Sequence, residues 1–235
     1  PIAYEELATE GPVERLVAEL EAGERTLAWE PRRGWLPSLL EALDVPVSSQ
    51  TLVFSRTSFQ QARIGPRRPR AVYFGDDVYV GWVPGAPVLE ITSMDPRRGA
   101  VFYVLDQSRS APPRPERRVG ECLQCHASPM TRDWPGNLVR SVHPDPEGFP
   151  NFAAGTTLVD QATPFERRWG GWYVTGAGEG LRHLGNAVLA EGQSALEPRP
   201  QADVLAERVN LGIYPGEHSD LVALLALEHQ AEMHN

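Results

Sequence analysis

The chain has 235 residues, 41% of them hydrophobic and 23% charged, with a net charge of −9. That is ordinary globular composition, long enough for one large domain with a real core. The acidic balance argues against a nucleic-acid partner. No apolar run reaches membrane-spanning length, the longest, LVALLALEH (221–229), ending in polar residues.

PVERLVAELEA (12–22) spaces Val13, Leu16, Val17 and Leu20 as one helical face, and Gly23 follows as a stop. LPSLLEAL, from Leu36, predicts a second short helix. From Thr51 the pattern turns to strand: TLVFSRTSF, AVYF, VYVGWV, VLEITSM and AVFYVLD are rich in β-branched and aromatic residues. Gly75-Asp76-Asp77 and Asp95-Pro96-Arg97-Arg98-Gly99 fall between strands and read as hairpin loops, so this half predicts an antiparallel sheet. RIGPRRPR (63–70) reads as a solvated basic connection, with a docking patch as its functional alternative.

SAPPRPERR (110–118) is a proline-stiffened linker that delivers the chain to ECLQCHASPM (121–130). Beyond it, NFAAGTTLV and WGGWYVTG look strand-like and the last third looks helical. The expected fold is α+β: an antiparallel sheet in the N-terminal half, the cysteine motif after the linker, and a helical C-terminal third. One domain spans 1–235, with a subdivision into a strand region (1–109) and a cofactor-carrying region (119–235).

Cys122 and Cys125 are the only cysteines, three apart, with His126 next. Chance rarely produces that arrangement. A thioredoxin-type dithiol expects a βαβ context, whereas a proline-rich linker and an antiparallel pattern precede this one. A structural zinc site needs two more ligands and there is no second cysteine pair. Covalent haem uses all three residues: two thiols one helical turn apart reach the two vinyl groups, and the adjacent imidazole is directed at the iron.

In this CxxCH run the chain resembles the c-type cytochromes. The resemblance implies one covalent haem c, with Cys122 and Cys125 carrying the thioethers and His126 as proximal ligand. It does not extend to the small all-helical carriers, because a long strand-rich region precedes the motif. RRWGGWYVTG, RHLGN and LEHQAEMHN further resemble a group of mono-haem bacterial cell-envelope proteins, which adds no reaction.

The opposite axial position has several candidates. Met130 follows His126 by one helical turn and falls on the proximal side, which excludes it. His143 lies in a turn-rich loop and reads as a surface histidine. Ser219 and Asp220 offer a cap for a C-terminal helix whose Val222, Leu225, Ala226, His229 and Met233 form one stripe, expected to be buried. His229 ranks first as metal ligand, His183 in GEGLRHLGN second and Met233 third, while His234 points elsewhere on the helix. Trp169, Trp172 and Tyr173 either line a haem edge or fill the core. Arg140, with Arg167 and Arg168, offers cationic partners for propionates.

The expected function is electron transfer with a redox partner protein, such as a membrane complex. The alternatives are a haem enzyme or sensor with an open distal site for peroxide or a gas ligand, and a relay subunit of a larger assembly. Attachment of this kind takes place outside the cytoplasm, so the expected location is the periplasm or cell surface. That expectation includes a leader removed before Pro1.

Overall fold

The computed structural model describes Tyr4 and residues 9–235. The architecture is α+β, built on a six-stranded antiparallel sheet in the N-terminal half, with strands in sequence order. These are β1 (Thr51–Val53), β2 (Arg70–Phe74), β3 (Val78–Trp82), β4 (Val88–Asp95), β5 (Gly99–Asp106) and β6 (Glu116–Arg118). The chain groups into two compact units, each assembled from separate segments. The first comprises residues 1–47, 73–138 and 230–235, and the second 48–72 and 139–229.

In the first unit, α1 (Pro12–Ala22) starts with proline in its first turn and stops at Gly23, whose φ of 72° lets its amide close on Glu19 and Leu20. It buries Val13 and Leu16, and α2 (Leu36–Ala42) buries Leu36, Leu39 and Leu40. Strands β4 and β5 pair over their full length, from Val88 opposite Asp106 to Asp95 opposite Gly99. At the hairpin tip the Asp95 carboxylate accepts the amide N–H groups of Arg97 (2.8 Å) and Arg98 (3.1 Å). The predicted linker is more than a tether: its last three residues form β6, with Phe102 opposite Arg118 and Val104 opposite Glu116. One residue later the chain enters α3 (Gly120–His126).

The second unit is poor in regular structure. It contains two-residue pairs, β7 (Arg140–Ser141) with β8 (Thr157–Leu158) and β9 (Arg182–His183) with β10 (Arg199–Pro200), and the one-turn helix α4 (Leu205–Arg208). Side chains therefore satisfy backbone groups that a ladder would otherwise pair. The Gln50 carboxamide accepts the Gly216 N–H (3.0 Å) and donates to the carbonyls of Gly216 and His218 (2.7 Å each). Asn186 brackets Val174 in the same way, at 2.7 and 2.8 Å.

Three expectations are corrected here. The C-terminal third is not largely helical: its α-helices are α4 and α5 (Leu221–His234), with Pro198 and Pro200 breaking the segment before α4 and Pro215 the one after it. WGGWYVTG is not a ladder strand. Trp169 at φ 67° and Gly171 at φ 88° turn the chain, leaving two isolated bridges, Trp172 to Val53 and Thr175 to Asp220. Nor is NFAAGTTLV, of which only Thr157–Leu158 pairs.

Helix α5 begins where expected, with Asp220 Oδ1 accepting the N–H groups of Val222 (2.8 Å) and Ala223 (3.3 Å). Its buried face is a different one. Ala223, Leu224, Leu227, Glu228 and Ala231 are enclosed, whereas Val222, Ala226, His229 and Met233 are exposed and Leu225 is half-buried. The first two turns are apolar on every side, so sequence spacing picks no face. Partners of Glu228 elsewhere in the chain decide the rotation.

Candidate functional site

The site is built on α3, where the chain leaves the edge strand β6. Cys122 is half-buried, Cys125 is exposed, and neither is in a disulfide. Burial pushes the Cys122 thiol up to about 11, helped by the carboxylates of Glu90 and Glu121 and opposed by Arg118. A thiol so biased toward its protonated form is the reverse of a nucleophilic dithiol cysteine.

His126 ends the helix, and a double hydrogen bond to one residue holds it. The N–H of Gly136 donates to the His126 carbonyl at 2.9 Å. In return the His126 Nδ1–H donates to the Gly136 carbonyl at 2.8 Å. Because a carbonyl only accepts, that bond places a proton on Nδ1. The ring lies against Phe102 of β5, with centroids 4.7 Å apart at 49°, so apolar packing also restrains its rotation.

The turn after α3 keeps this arrangement in place. Ser128 and Thr131 form a capping box: Ser128 Oγ accepts the Met130 N–H, and Thr131 Oγ1 accepts the Ser128 N–H at 3.1 Å. Ser128 Oγ also donates to the Cys125 carbonyl (3.1 Å), and the buried Thr131 hydroxyl lies 3.1 Å from the His126 carbonyl. Met130 and Trp134 are exposed in the same loop. The Ser-Pro-Met-Thr spacing was a readable signal for this cap. Gly136 and Phe102 carry no local signal, because they join the site only through the fold.

The other predicted residues belong to the second unit, with two exceptions on the last turn of α5. Met233 is exposed there, and His234 Nδ1 lies 2.8 Å from the Tyr79 hydroxyl. In the second unit, His229 is exposed. His183 is fully buried, edge-on to Trp169 at 5.3 Å, and its Nδ1 accepts the Gly185 N–H at 3.0 Å. Burial lowers its pKa, so the ring is neutral with its proton on Nε2. His143 is half-buried rather than a free surface group. Its Nδ1 accepts the Leu196 N–H at 2.9 Å.

Trp169, Trp172 and Tyr173 are all buried, and their polar atoms are bonded within the unit. Trp169 Nε1–H donates to Glu228 (2.5 Å), Trp172 Nε1–H to the Arg140 carbonyl (2.8 Å), and the Tyr173 hydroxyl to the Pro66 carbonyl (2.6 Å). Arg140 lies over the Phe152 ring at 5.7 Å. Arg167 reaches Thr157, and Arg168 pairs with Glu228.

No family model, curated protein or solved structure matches this chain. The site is therefore read from its own chemistry. It offers a half-buried and an exposed thiol on one short helix, beside an imidazole held through Nδ1. Among the described residues no three His, Cys, Asp or Glu side chains converge as a metal cage. Among the same residues no helix is long and apolar enough to cross a membrane.

Proposed function

We propose that the chain is a mono-haem c-type cytochrome whose function is electron transfer. Cys122 and Cys125 would hold one haem c, each adding its S–H across a vinyl double bond with no net redox change, and His126 would be the proximal ligand. The observation that carries this reading is the His126 Nδ1–H bond to the Gly136 carbonyl, which would make Nε2 the nitrogen offered to a metal. Unpaired, accessible thiols and the raised Cys122 pKa support attachment over disulfide chemistry. A bound haem c supplies a one-electron iron couple.

The protein's own part is to fix the imidazole, keep its proton on Nδ1 and pack Phe102 beside it. For the opposite axial position, His183 is disfavoured, because accepting the Gly185 N–H requires its proton on Nε2, the nitrogen an iron would take. Met233, exposed on α5 and in the same unit as His126, is the donor we propose for it. The net charge of −9 favours a redox partner with a basic docking surface. The attachment chemistry places the mature protein in the periplasm or at the cell surface.

The test is expression of the chain with a c-type haem maturation system, followed by haem staining after denaturation. The wild-type chain should retain haem covalently and give a low-spin reduced spectrum unaltered by carbon monoxide. Cys122→Ser with Cys125→Ser should retain none. Equal retention in that double variant overturns the assignment, and rapid carbon monoxide binding overturns the electron-carrier role in favour of a ligand-binding one.

A further inference from the structure

Resting on the haem reading above, we propose that Asn235 is a positioning residue for the His126 imidazole, acting through the peptide group between Gly136 and Asn137 and thereby tuning the iron potential.

The Asn235 carboxamide grips the backbone of Asn137 from both sides. Its Nδ2–H donates to the Asn137 carbonyl at 2.7 Å, and its Oδ1 accepts the Asn137 N–H at 2.9 Å. That N–H belongs to the same peptide group as the Gly136 carbonyl, which accepts the His126 Nδ1–H at 2.8 Å. A continuous chain results: imidazole N–H to Gly136 carbonyl, then through one planar amide to Asn137 N–H and Asn235 Oδ1. Hydrogen bonds in series polarise one another. An acceptor on the amide N–H makes its carbonyl a stronger acceptor, which draws the Nδ1 proton and makes Nε2 a better donor to a metal.

The approach is close. A Cβ on residue 136 would lie 2.2 Å from Asn235 Oδ1, so a larger residue there would displace the carboxamide. Independent contacts hold the same loop: the Ala100 N–H donates to the Pro135 carbonyl at 2.9 Å, and Asn137 Nδ2 lies 3.7 Å from Met94 Sδ. Removing the Asn235 side chain should therefore weaken one hydrogen-bond chain without releasing the loop.

Asn235→Ala removes both bonds, while Asn235→Asp keeps an oxygen for the Asn137 N–H. The first readout is the His126 Nδ1 proton resonance of the full chain as purified. It should move upfield in Asn235→Ala and stay at or downfield of wild type in Asn235→Asp. The second readout is the midpoint potential of the haem-loaded protein. A weaker imidazole donor stabilises ferric iron less, so Asn235→Ala should favour reduction by about threefold to tenfold, tenfold being 59 mV for one electron. A lowered melting temperature with resonance and potential both unmoved makes Asn235 merely structural and overturns the proposal. If the wild-type chain carries no haem, the function proposed above fails. The Nδ1 resonance then still decides whether Asn235 positions His126.

Discussion

The Glu228 carboxylate and the Arg168 guanidinium meet at 2.6 Å with their side chains 1% and 8% exposed. The other carboxylate oxygen accepts the Trp169 indole N–H, and Arg168 also donates to the carbonyls of Thr163 (2.7 Å) and Gln161 (3.1 Å). Every polar arm of the pair is matched, so cutting one side strands a buried charge. Glu228→Ala should cost about 3–5 kcal/mol in urea unfolding. Glu228→Leu combined with Arg168→Met should cost less than either single change. Equal or additive losses would show that the pair is not coupled.

Acid should unfold the protein partly through Asp95. Burial works against its charge, but the amides of Arg97, Glu10 and Arg98 and the Arg98 guanidinium outweigh it and hold the carboxyl below its usual range. A lowered native value means the contribution is present above the unfolded value of about 3.9 and is lost as pH falls through the native one. Asp95→Asn should therefore lower stability at pH 7 and flatten the decline in melting temperature below about pH 4. An unchanged acid limb would place the effect in other carboxylates.

The two thiols of the haem-free chain should differ in reactivity. Cys125 is exposed, whereas Cys122 is half-buried with its pKa near 11. At pH 8 only about one Cys122 in a thousand is thiolate. Mass spectrometry after brief iodoacetamide treatment should find Cys125 alkylated at least about tenfold faster. Equal rates would mean that α3 frays in solution.

Gly99 joins the β4–β5 hairpin to the loop that holds His126. Its φ is 73°, and a Cβ there would lie 2.4 Å from the Pro135 carbonyl oxygen. Gly99→Ala should cost about 2–3 kcal/mol, from left-handed strain plus that backbone clash. Urea melts measure it, and a change below 0.5 kcal/mol, the ordinary surface range of about ±0.5, would refute the tight approach.

Local chemistry made much of this readable. The hairpins of β2 to β5 follow from short β-rich runs separated by turn residues, α1 from Pro12 and Gly23, and α5 from Asp220. The CxxCH run lies on a helix, as a thiol pair one turn apart requires. Contacts made at long range were not readable. The rotation of α5 depends on Glu228 finding Arg168 and Trp169, about sixty residues away. WGGWYVTG has strand-like aromatics, yet positive φ at Trp169 and Gly171 bends it into the core. The Gly136 carbonyl that orients His126 is a backbone atom, which composition cannot flag.

The unit that carries α3 also contains residues 230–235, so parts that touch one another are far apart along the chain. Synthesis therefore delivers the cysteine helix well before it delivers Asn235, which clasps the adjoining loop. His126 thus emerges on a loop that Asn235 has not yet locked, and final seating of its ring waits on that later segment.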